Sequence, residues 1–105
     1  AYNKMRAGMI TSNEPGLYHE GQYGIRIENL VVNRLLPQTG AYGNFLAFEN
    51  LTLCPIATQC LDLTMLTVHE KDWLNAYHEQ VRAALADDLS GAALDWLLRQ
   101  TQAVA

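Results

Sequence analysis

At 105 residues the chain is long enough for one domain that buries roughly two thirds of its unfolded surface. Half of the residues are hydrophobic, 17% are charged, and the 7 basic side chains are scattered within a net charge of -4, a balance that suits neither nucleic acid nor an anionic membrane. No apolar run reaches the roughly 18 residues of a membrane span and nothing at the start reads as a signal, so the cytoplasm is the expected compartment.

The sequence begins at Ala1 without an initiator methionine and runs straight into an apparent strand, as expected for a piece of a longer protein. Residues 9–14 read as extended, because Pro15 pushes Glu14 out of the helical region, and Pro15-Gly16 is a turn pair. Along 23–32 the pattern alternates. Ile25 and Ile27 share one face and Arg26 and Glu28 the other. A hairpin centred near Gly21 places Glu14 and Glu28 equally far from the turn, facing each other on the ionic side. Carboxylates opposed across strands repel, so a positive partner is expected between them. A divalent metal is one answer, since carboxylates on strands are good ligands for hard cations and can bridge two ions. Arg26 is another. With a different register, both glutamates would simply reach water.

Arg34-Leu35-Leu36 closes the second strand, 37–43 is a loop rich in turn formers, and 44–53 reads as a third strand with Leu46 and Phe48 inward, ended by Pro55. The simplest topology is an antiparallel meander of three strands. Cys54 and Cys60 match neither a zinc spacing nor a disulfide framework and read as reduced, buried thiols.

From Leu61 the period changes. Leu61, Leu63 and Leu66 pack a connector, and Thr67-Val68-His69-Glu70 has the form of a capping box. The helix that follows has Trp73, Leu74, Tyr77, Val81, Ala84 and Leu85 on one face, with Lys71, Glu79 and Arg82 outward. Ser90 is positioned to cap a last helix carrying Leu94, Leu97 and Leu98. Trp73 and Trp96 read as core anchors. His19 falls in the turn between the glutamates, close to any cleft there, whereas His69 and His78 read as surface or capping groups. No nucleophilic triad or phosphate-cradling loop is visible. The fold class is therefore α+β, with antiparallel strands over 1–60 and a helical tail over 61–105.

Read as words, Ser12-Asn13-Glu14-Pro15-Gly16-Leu17-Tyr18 and Gly24-Ile25-Arg26-Ile27-Glu28-Asn29 resemble the last two metal-ligand motifs of the pita-bread metallopeptidases. The phrases Phe48-Glu49-Asn50-Leu51-Thr52-Leu53-Cys54-Pro55-Ile56, Asp72-Trp73-Leu74-Asn75-Ala76-Tyr77-His78 and Ala93-Leu94-Asp95-Trp96-Leu97-Leu98-Arg99 are similar to the C-terminal end of long-form Xaa-Pro aminopeptidases. The resemblance covers roughly residues 8–102. It implies the C-terminal part of a pita-bread catalytic domain, in an enzyme that removes an N-terminal residue from peptides with proline second. It also implies two divalent ions, manganese by preference with zinc or cobalt possible. Strands meant to pack against missing helices and strands should leave apolar area exposed, so self-association into a homo-oligomer such as a dimer is expected. Glu14 and Glu28 are then metal ligands, Glu14 also handles a water's proton, and Arg26 orients a ligand or the substrate. Two aspartates and a histidine upstream complete the family's ligand set, so this chain alone is expected to bind metal weakly and to lack activity. The departures are Leu17 for an aromatic, Asn50 for a proline, and Ala57 after Cys-Pro-Ile. A non-catalytic binding module of the same fold is the rival expectation.

Overall fold

The computed structural model describes residues 2–105, with Gln38 and Thr39 described by their backbone alone. It divides after Thr52 into two compact units.

The first unit is built from strands β1 (Ile10–Asn13), β2 (Gly16–His19), β3 (Tyr23–Arg26), β4 (Asn29–Gly40) and β5 (Gly43–Asn50). β1, β4 and β5 form one antiparallel sheet with β4 in the middle, and β2 and β3 form a second, two-stranded ladder. The pairs run from Gly16 with Arg26 to His19 with Tyr23 in one ladder, and from Ile10 with Val32 to Asn13 with Asn29 in the other. Both registers are centred on Gly21, whose φ of 70° needs a glycine in the turn. The expected hairpin is therefore present in register but broken in two. The break falls at Glu14-Pro15 on one side and Ile27-Glu28 on the other. Pro15 has no amide hydrogen for a ladder, so pairing stops there. The turn expected at Pro15-Gly16 is absent; β2 begins at Gly16 and the reversal comes at 20–22.

β4 is the hub because the buried residues of this unit, Val31, Val32 and Asn33, follow one another along it. Asn33 also holds the leading segment: its amide donates to the Met9 carbonyl at 2.9 Å, its carbonyl accepts from Gly8 at 2.8 Å, and its Nδ2 donates to the Arg6 carbonyl at 3.1 Å. Gly8, at φ 84°, makes the bend that brings these groups together. Two expectations need correction. The loop placed at 37–43 is largely strand: β4 runs through to Gly40, and an irregularity between Leu35 and Thr39 absorbs Pro37. The third strand stops at Asn50 instead of 53, and Leu46 and Phe48 are 36% and 56% exposed, because within this unit no layer covers that face.

The second unit, Leu53–Ala105, carries α1 (Val68–Leu85) and α2 (Gly91–Gln100). The capping box forms as expected: the Glu70 amide donates to Thr67 Oγ1 at 3.2 Å and the Thr67 amide donates to Glu70 Oε2 at 2.8 Å. The Thr67 amide, and after it the Thr67 hydroxyl that donates to the same oxygen at 2.8 Å, hold the Glu70 carboxyl below its ordinary pKa. Tyr77, Val81 and Leu97 form the core, with Ile56, Leu85, Ala86 and Leu89 packed around it. The closing segment is tied to α1 by the Asn75 amide, which bonds both the carbonyl and the amide of Val104 at 2.9 and 2.8 Å. The stretch 53–60, grouped with the strands on sequence, thus belongs to the helical unit.

Several side chains differ from expectation. Arg82 is turned inward; its guanidinium donates to Thr101 Oγ1 at 3.0 Å and to the Thr101 carbonyl, while Thr101 Oγ1 donates to the Leu97 carbonyl at 2.7 Å. His78 is fully buried instead of lying at the surface, because it falls between Leu74 and Val81 on the same helical stripe. Trp73 and Trp96 are each 48% exposed and lie at the margins of the core. The Trp73 ring stacks on Tyr77 at 5.4 Å. Cys54 and Cys60 are free, but exposed. Ser90 stands at the N-terminus of α2 without a side-chain capping bond. Among the described residues, no helix is long and apolar enough to cross a membrane.

Candidate metal centre

The break between the two ladders is where the ionic groups gather. Tyr18 lies directly across from Gly24 in the β2–β3 ladder. Its ring spreads over two glycines: a Cβ at Gly24 would stand 2.6 Å from the ring, and a Cβ at Gly16 would stand 2.7 Å from the hydroxyl. Only glycine leaves room for that posture. From it the Tyr18 side chain comes beside Arg26. Arg26 in turn pairs with Glu28 at 2.9 Å, as their shared strand face requires. Tyr18 first, then the charge of Glu28, and more weakly that of Glu14, strengthen the hold of the guanidinium on its proton.

The structure therefore brings Glu14, Arg26 and Glu28 to one place, on the two segments where the ladder is interrupted. Arg26 supplies the positive charge that the opposed carboxylates need. Both glutamates are exposed and their flanking backbone is extended, so their oxygens are open to a ligand. Two carboxylates are hard donors of the kind divalent cations prefer. Among the described residues, no three His, Cys, Asp or Glu side chains converge into a group that could hold a metal ion.

The histidines do not join this group. His19 ends β2 and packs its ring against Tyr23 at 4.8 Å, His69 is exposed in the first turn of α1, and His78 is buried in the helical unit. Sequence reasoning missed Tyr18 as a contributor. Its signal was available: an aromatic flanked by glycines at 16 and 24, which fall beside it once the register is centred on Gly21.

An antiparallel sheet presenting this acidic pair, followed by short helices, is the C-terminal part of the pita-bread metallopeptidase fold. An X-prolyl aminopeptidase from Caenorhabditis elegans, described as a cytosolic enzyme with a di-nuclear active site, superposes with a TM-score of 0.83 and 35% identity over 95% of this chain. Family models match in two blocks, metallopeptidase family M24 over residues 1–34 and the C-terminal region of peptidase M24 over 44–104. The chain belongs to the M24 metallopeptidases. Curated relatives include "Probable Xaa-Pro aminopeptidase P" of Coprinopsis cinerea, 45% identical over 96% of this chain, and that of Laccaria bicolor, 41% identical over 91%. The chain spans 17% and 16% of the length of these two relatives, and 17% of the nematode enzyme.

Proposed function

We propose that this chain supplies the last two carboxylate ligands of a dinuclear, cytoplasmic Xaa-Pro aminopeptidase, acting on peptides with proline in second position. The convergence of Glu14, Arg26 and Glu28 at the ladder break carries this reading. Glu14 and Glu28 would hold two divalent ions, manganese by preference. When bound, such ions activate a water and polarise the scissile carbonyl. The chain's own contribution is positional. Glu28 holds its carboxylate against Arg26, Tyr18 lies beside Arg26, and Glu14 would accept and return the proton of the attacking water. The relatives' length supports a division of labour in which the remaining ligands come from upstream, and the assembled enzyme would be a homo-oligomer. On this reading the 105-residue chain has no turnover by itself.

The test is cleavage of an Xaa-Pro peptide by a protein extended upstream to the full catalytic domain of the relatives. Glu14→Gln and Glu28→Gln are each expected to lower kcat/KM by at least about a thousandfold, since each removes a charged ligand. Wild-type rates in either variant would refute the assignment, and an extended protein that neither binds metal nor cleaves would establish the non-catalytic binding module instead.

A further inference from the structure

Tyr77 and His78 are consecutive on α1, and both reach the short strap 54–56 by which the chain enters the helical unit. The Tyr77 hydroxyl donates to the Cys54 carbonyl at 2.9 Å, and the Ile56 amide donates to His78 Nε2 at 3.0 Å. An Nε2 that accepts cannot also carry a proton. The buried imidazole is thus the neutral tautomer with its hydrogen on Nδ1, and Nδ1 has no hydrogen-bond partner. A second proton would have to enter at Nε2, where it would meet the Ile56 N–H head on. One donor would face another in a site closed to solvent, which costs far more than the bond contributes when made.

The surroundings offer a charged imidazole nothing. Arg82, one turn further along α1, is the charge that acts on it, and it repels a second cation. Tyr77 from the same helix lies with its ring at 6.0 Å, tilted by 39°. The strap presents backbone, and α2 meets the α1 core through the apolar Leu97. Among the described residues no carboxylate compensates the ring.

We infer that His78 is an acid-sensitive latch: neutral, it holds the 54–56 strap to α1, and protonated, it lets the strap go. Burial, and much more weakly the charge of Arg82, keep its pKa below the ordinary histidine value. Well above pH 6.5 the ring is neutral whether the latch is open or closed, and titration contributes nothing. As pH falls below that, the opened chain takes up a proton that the closed one refuses, so closure weakens until the depressed folded value is passed. Neither the glutamates nor their metal enters this account, so it stands apart from the proposed activity.

The experiment is amide hydrogen exchange at Ile56, together with ring ¹⁵N shifts of His78, across pH 8 to pH 5 on the 105-residue chain. The expected result is an Nδ1–H tautomer at pH 8 that titrates below 6.5, and an Ile56 protection factor that falls by up to about thirtyfold by pH 5. His78→Gln, whose side-chain oxygen can still accept from Ile56, is expected to keep the protection and abolish its pH dependence. A ring that titrates at or above 6.5, an Ile56 protection factor unchanged between pH 8 and pH 5, or the same acid loss in His78→Gln would each overturn the latch. If His78→Gln does not fold, the ring shifts and Ile56 exchange of the unaltered chain still decide.

Discussion

The two units are held together by different physics. The helical unit closes around Tyr77, Val81 and Leu97, with polar ties from Asn75, Arg82 and Thr101 around that core. Among the described residues the sheet unit buries only a short run of β4, while Ile25, Ile27, Leu30, Phe45 and Phe48 stand between 44% and 56% exposed. Yet it is the sheet unit that carries the proposed chemistry. Its acidic pair is positioned by backbone register, by a proline that interrupts pairing, and by a tyrosine seated on glycines. Position at the site thus comes from hydrogen-bond geometry and close contact, whereas stability is concentrated where apolar side chains meet.

The contrast breaks first under truncation of the core. Leu97→Ala empties a fully buried site and is expected to destabilise the helical unit by about 2–5 kcal/mol in chemical denaturation. Phe48→Ala, at a half-exposed position of the sheet, is expected to cost less than about 1 kcal/mol. Equal losses would show that the sheet depends on apolar packing as much as the helices do. Gly24→Ala sharpens the other half of the comparison. Its methyl collides with the Tyr18 ring, and the expected cost is about 1–3 kcal/mol together with displaced Tyr18 ring resonances. Unchanged Tyr18 shifts would mean that the ring is not what holds Arg26. The smallest effects distinguish two helix starts: Thr67→Ala loses a formed capping bond, at about 1 kcal/mol, and Ser90→Ala, with no such bond to lose, should change stability by no more than about 0.5 kcal/mol.

Much of this was legible because it is local. The Gly21 centre of the hairpin, the alternation that unites Arg26 with Glu28, and the Thr67–Glu70 box depend on neighbours in sequence, and all three are present in the structure. What escaped depends on partners far along the chain. The inward turn of Arg82 needs Thr101, the burial of His78 needs Ile56, and neither partner can be read from helical periodicity alone. The cysteines illustrate the converse. Cys54 read as a buried thiol on sequence, but the strap uses its backbone groups toward Tyr77 and leaves Cys54 exposed. Pro37 marked a loop on sequence, whereas a register shift lets β4 accommodate it. Along the candidate site the two glutamates and Arg26 were recognisable, and Tyr18 became so only with the register in hand.

Calorimetric titration of manganese tests the central claim most directly, using the 105-residue chain, the upstream-extended protein, and the extended Glu28→Ala variant. Two ions bound per chain in the extended protein, with weak binding in the short chain and loss of stoichiometry in Glu28→Ala, is the predicted result. Two ions still bound with undiminished affinity in the Glu28→Ala variant would contradict it.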